Sequence, residues 1–249
     1  MNLQIKGVDL SALNTEVDFD QAKEGSVQFA ILRAGVGGVS RHEDRLFRAH
    51  MENALCANIE TGAYWLTCAI DKQEARQEAK AFLSIVAEYR KHITYPLFCY
   101  YGYPSIEYAQ KRGIPPNREY ITDIIHTFCD EIEQSGWYAG YYANPDFIKN
   151  YLDMERLSRW DLWLADYHGG PEYHCGMQQI TDCGIIRGIT GDVNINVAYR
   201  TYSHRVYTEL WNSWKFIPQS LPKAVEKKRF PAPPVFLHTE ESFPNGRAF

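Results

Sequence analysis

Val27-Gln28-Phe29-Ala30-Ile31-Leu32-Arg33-Ala34 places six apolar residues in eight positions. The run is short for a buried helix, and it lacks the alternation of a strand that shows one face to water. It reads as a strand covered on both faces, the habit of parallel sheets. Similar segments recur at residues 5–11, 62–68, 95–101, 136–143, 162–167 and 176–181. Helical patterns lie between them. Ala75, Ala79, Phe82, Leu83 and Val86 fall on one helix face, and Ile121, Ile124, Ile125, Phe128, Cys129 and Ile132 repeat the spacing. Alternating strands and helices predict a largely parallel sheet. With seven such strands and no Gly-x-Gly-x-x-Gly turn after the first, the expected fold is α/β, a closed or nearly closed (β/α) TIM-like barrel. Functional groups of barrels gather at the carboxyl ends of the strands. That rule directs attention to Asp9, Arg33, Tyr64, Trp65, Tyr100, Tyr101, Tyr103, Tyr142, Asn144, Asp166, Tyr167 and residues 178–196.

The 249 residues are 45% hydrophobic and 23% charged, which excludes a disordered or coiled-coil chain and fits one barrel-sized domain. A net charge of -5 argues against a nucleic-acid partner. No apolar run is long enough to span a membrane, and residues 1–10 lack the basic start and apolar stretch of an export signal, so synthesis in the cytoplasm is expected. The six cysteines include no Cys-x-x-Cys pair, and His168, His174 and Cys175 match no common metal spacing; neither a metal nor a cofactor is expected. Residues 1–201 are therefore assigned to the barrel. Residues 202–249 change character: six prolines between 218 and 249, the basic cluster Lys227-Lys228-Arg229, and aromatics from Trp211 to Phe249 predict an extended arm that docks on a protein partner.

Several strand ends carry a recognisable pattern. Lys6-Gly7-Val8-Asp9-Leu10-Ser11, Val17-Asp18-Phe19, Gly62-Ala63-Tyr64-Trp65, Tyr95-Pro96-Leu97-Phe98, Gly136-Trp137-Tyr138-Ala139, Tyr142-Ala143-Asn144 and Leu162-Trp163-Leu164-Ala165 follow one another in an order that resembles glycoside hydrolase family 25, the lysozymes (muramidases) of bacteria and phages. The resemblance runs over about residues 4–199. It implies an irregular (β/α) barrel that cleaves peptidoglycan between N-acetylmuramic acid and N-acetylglucosamine, with no cofactor. It also implies a carboxyl set: an acid within Gly-[Ile/Val]-Asp, an Asp-x-Glu pair after the Tyr-Pro strand, and an acid within Gly-x-Val-Asp-x-Asn. Here the first is Asp9. The pair falls on Tyr100 and Gly102, and the last on Asn194 within Gly191-Asp192-Val193-Asn194-Ile195-Asn196. A late Trp-Gln-Tyr element of the family reads Gln178-Gln179-Ile180.

Hydrolysis of this kind needs a proton donor and a carboxylate flanking the bond. Tyrosine is a poor acid and glycine none, so the resemblance implies a degenerate site with Asp9 as its sole retained carboxylate. Tyr64, Trp65, Tyr101, Tyr142, Trp163 and Tyr167, with Asp166, are the glycan-binding candidates, since aromatic faces stack on sugars; the same residues read equally as barrel lining. The expected role is a non-hydrolytic binding or structural module related to cell-wall glycan, with a place in a phage particle or release by lysis as its destination. The alternative is an active muramidase whose acids have moved, with Asp166 and Asp192 available for the purpose.

Overall fold

The computed structural model describes residues 3–38 and 41–202. The elements run β1 (Ile5–Leu10), α1 (Phe19–Glu24), β2 (Phe29–Val36), β3 (His42–Glu43), α2 (Phe47–Cys56), β4 (Glu60–Leu66), α3 (Lys72–Val86), β5 (Ile93–Tyr100), α4 (Tyr103–Lys111), α5 (Arg118–Gln134), β6 (Ala139–Ala143), α6 (Pro145–Tyr151), α7 (Met154–Leu157), β7 (Asp161–Ala165), β8 (Met177–Gly184) and β9 (Val193–Ala198). Short polar side chains start five of the helices: Asp18, Asp71, Asn117, Asn144 and Asp153 each accept a backbone N–H of the first turn.

Eight strands close a ring in the order β1, β2, β4, β5, β6, β7, β8, β9 and back to β1, with β3 paired to β2 outside it. Neighbours from β1 round to β8 are parallel, and β9 is antiparallel to both β8 and β1. The barrel expected from the apolar runs is thus present, with one strand more than the runs indicated. Val193-Asn194-Ile195-Asn196 alternates, but its apolar members pack outward and its asparagines point into the barrel, the reverse of a half-exposed strand.

Two apolar layers result. Leu32, Leu97, Ile125, Phe128 and Leu164 belong to the layer between sheet and helices, whereas Phe29, Tyr95, Phe98, Trp163, Met177 and Tyr202 fill the barrel. Its floor is aromatic: Phe29 stacks on Tyr95 at 4.4 Å, and Tyr95 meets Tyr202 at 4.7 Å between ring centroids. Tyr202 fits because residue 176 is glycine; a Cβ there would stand 2.3 Å from the Tyr202 hydroxyl and 2.4 Å from the Asp161 carboxylate. The Tyr202 side chain is fully buried. Tyr202→Ala should therefore destabilise the barrel by about 3–5 kcal/mol, measured by urea unfolding. A loss below about 1 kcal/mol would show that the floor holds without it.

Among the described residues no helix is long and apolar enough to cross a membrane. The arm expected over residues 202–249, its aromatic anchors and its basic cluster lie, beyond Tyr202, outside the described residues.

Candidate functional site

The mouth of the barrel is built by strand alternation. Asp9 on β1 and Asn194 on β9 are direct cross-strand partners. On β4 and at the end of β5 the outward residues are Ala63, Trp65, Cys99 and, just past the strand, Tyr101, which leaves Tyr64 and Tyr100 facing inward with Gly102 against the Tyr100 ring. Tyr142 and Trp163 line the same interior from β6 and β7. Asp9, Tyr100, Gly102 and Asn194, far apart in sequence, thus come to one end.

Asp9 is 5% exposed. Its Oδ1 accepts from Asn194 Nδ2 at 2.9 Å, and its Oδ2 accepts from Gln179 Nε2 at 2.8 Å and Asn196 Nδ2 at 2.9 Å. Two of these carboxamides are pinned from behind. Tyr142 and Tyr167 both donate to Gln179 Oε1, at 3.0 and 2.7 Å, and the Trp163 indole donates to Asn196 Oδ1 at 2.8 Å. Their NH2 groups must then face Asp9, which makes Asp9 an acceptor at the centre of three donors. Burial pushes the Asp9 carboxyl up from its ordinary value, while the three carboxamides pull it down.

The sign of the pH effect follows. Between the ordinary carboxylate value and the raised folded one, the native chain keeps a proton that the unfolded chain has released, so this group's contribution is lost as pH rises through that window. Asp9→Asn removes the loss. The new Oδ1 can face pinned Gln179 and Asn196, and the new NH2 can face Asn194, which is half-buried and whose carboxamide can turn. We expect the melting temperature of Asp9→Asn, relative to the parent, to rise as pH is taken from about 4 to about 7. A difference that stays flat or falls would contradict the burial argument.

Tyr100 and Gly102 are interlocked. A Cβ on residue 102 would lie 2.5 Å from Tyr100 Cε2 and 2.9 Å from its hydroxyl, so the tyrosine ring stands where a side chain at 102 would project. Tyr100 also meets Tyr142 edge-on at 4.6 Å. Burial, with the charge of Asp9 behind it, pushes the Tyr100 phenol up to about 12, so it holds its proton. A phenol so placed is neither a nucleophile nor a useful acid.

The rest of the mouth is aromatic and braced. Trp163 contacts Tyr142 at 4.8 Å and Tyr64 at 5.8 Å. Tyr64 and Tyr100 are half-buried, and Tyr167 is 39% exposed. Arg33 donates through Nε to buried Asp44 at 2.6 Å, and Asp44 also takes the Ala12 and Leu46 N–H groups. Glu78 of α3 is buried and accepts from Gly38 N, Cys68 N and the Trp65 indole, which ties the loops after β2 and β4 to that helix.

Not every candidate reaches the mouth. Trp65 and Tyr101 are fully buried on the helix side of the sheet, since strand-end position alone does not tell inward from outward residues. The Asp166 carboxylate is taken up by the N–H groups of His168 and Glu172, each at 3.1 Å, and shapes its own loop. Asp192 is exposed before β9. Gln179 and Asn196, not singled out from sequence, complete the Asp9 cage. Their signal was present in the quoted motifs, but their partner is 170 and 187 residues away.

The family model described as "Glycosyl hydrolases family 25" matches residues 8–189. No curated protein matches the chain. Solved structures do. The modular autolysin LytC from Streptococcus pneumoniae, in complex with a synthetic peptidoglycan ligand, is 22% identical with a TM-score of 0.70 over 79% of this chain. This chain spans only 47% of LytC. A family 25 glycosyl hydrolase from Bacillus anthracis is 22% identical, with a TM-score of 0.67 over 82% of this chain and 93% of its own. The catalytic domain of an endolysin from a bacteriophage of Listeria monocytogenes is 21% identical, with a TM-score of 0.64 over 84% of this chain and 98% of its own. At these identities the likeness is one of fold.

Proposed function

The chain belongs to glycosyl hydrolases family 25, and from that premise we propose that it is a non-hydrolytic member that binds cell-wall glycan at the mouth of its barrel. The observation that carries this reading is the interlock of Tyr100 with Gly102, at the positions where the family resemblance implies an Asp-x-Glu pair. A ring fills the place of the acid side chain, and a glycine beneath it accommodates the ring. Asn194 adds a carboxamide where another acid is implied, and it serves as a donor to Asp9.

What remains suits binding. Tyr64, Tyr100 and Tyr167, braced by buried Tyr142 and Trp163, offer aromatic surface around a buried acceptor, the usual composition of a carbohydrate site. The peptidoglycan ligand of LytC is consistent with glycan as the ligand class.

The test uses the whole chain and insoluble peptidoglycan. Cosedimentation is expected, with reducing ends no higher than in a heat-denatured control. Reducing ends that climb with time would overturn the non-hydrolytic half of the proposal, and failure to cosediment would overturn the binding half.

A further inference from the structure

Asp9 combines burial with a charge that no cation offsets among the described residues, its partners being three neutral carboxamides. The Nε of Arg33 at the rim is engaged with Asp44. A carboxylate offers about four acceptor positions. Two on Oδ2 and one on Oδ1 are used, which leaves a place on Oδ1 beside half-buried Asn194. Because its Nδ2 faces Asp9, Asn194 offers its own Oδ1 as a second acceptor nearby.

The surroundings are aromatic. Tyr142 and Tyr167 reach Asp9 through Gln179, which both hydroxyls hold and which donates to Asp9; Tyr100 packs on Tyr142, and Tyr64 packs on Trp163, whose indole holds Asn196 against Asp9. Three of them, Tyr64, Tyr100 and Tyr167, are open in part to solvent. An anion at the base of a group of tyrosine rings is the arrangement that selects organic ammonium ions, through ion pairing and attraction to the ring faces.

We propose that the mouth recognises an alkylammonium group, specifically the free 2-amino group of a de-N-acetylated amino sugar in a cell-wall glycan, with Asp9 as its counter-charge. The inference rests on the reading that this mouth binds glycan, and it adds which sugar is preferred. An ammonium donates to Asp9 Oδ1 and Asn194 Oδ1 together and neutralises the buried charge. An N-acetylated sugar brings a single amide N–H and no charge, so Asp9 stays uncompensated.

The experiment measures binding of glucosamine tetramer and N-acetylglucosamine tetramer to the full chain by calorimetry at the highest pH at which the amines are still protonated, so that Asp9 is ionised. Methylammonium chloride is the competitor, and sodium chloride at the same ionic strength is its control. Glucosamine tetramer should bind about tenfold more tightly than the acetylated tetramer, and methylammonium should displace it where sodium does not. Asp9→Asn should remove about tenfold of the affinity for glucosamine tetramer and with it the preference over the acetylated tetramer, so that the ratio of the two affinities falls close to one. Tyr64→Leu, at the half-buried rim, should weaken the same ligand. Equal or tighter binding of the acetylated tetramer, or unchanged affinity in Asp9→Asn, overturns the inference while leaving glycan binding intact. If neither tetramer nor peptidoglycan binds, both readings fall.

Discussion

Gly102→Glu alone is expected to destabilise the barrel by about 3 kcal/mol, near the upper end for overpacking, and to confer no activity. The new Cβ would lie within 3.0 Å of three atoms of the Tyr100 side chain, two of the ring and the hydroxyl. That ring has little room to retreat, because Tyr142 packs against its edge and residue 102 precedes α4 directly. Tyr100→Asp takes the ring away. The double variant Tyr100→Asp/Gly102→Glu should therefore recover most of the loss, with a coupling energy of about 2 kcal/mol in a double-mutant cycle read by urea unfolding. Additive effects within about 0.5 kcal/mol would mean that the two positions do not interlock.

Hydrolysis should reappear only when the carboxyls return together. Tyr100→Asp/Gly102→Glu/Asn194→Asp is expected to release reducing ends from peptidoglycan at least about 10²-fold faster than the parent chain, the lower bound of a general acid's contribution. A carboxyl at position 194 would stand where Asn194 Nδ2 now sits, 2.9 Å from Asp9 Oδ1. Two carboxyls that close share a proton, so the activity should fall as pH rises and the pair loses it. Should the triple variant fold, bind glycan and still release nothing, loss of these acids would not be what silences the site.

How much of this was legible depended on the range of the interactions. The strands packed on both faces announce themselves locally, as residues 27–34 do, because continuous burial demands continuous apolar sequence. β9 concealed itself by turning its polar alternation inward, toward Asp9. Trp65 and Tyr101 sit at strand ends like Tyr64 and Tyr100, and only the pleat, with a register shift between β4 and β5, decides which of each pair faces the mouth. The interlock of Tyr100 with Gly102 was visible as two replacements but not as one structural unit, since the contact depends on where the ring swings. The Asp9 cage joins residues 170 to 187 positions apart, beyond the reach of any local pattern.

That separation has a consequence for how the molecule is made. Of the described strands, β1 is the first to emerge during synthesis, and one of its two partners, β9, is the last. Until Val193–Ala198 arrives, β1 and β8 each present an open edge, and the carboxylate of Asp9 has neither Asn194 nor Asn196 beside it. Ring closure is therefore the most non-local event in folding, the kind that slows a chain and exposes it to edge-to-edge association. The polar cage acts as the clasp of that closure: its hydrogen bonds tie β1 to β8 and β9 as their open edges pair. A chain cut before residue 193 would lose the clasp and leave two sticky edges, so aggregation rather than a smaller soluble barrel is the fate of a prematurely ended product.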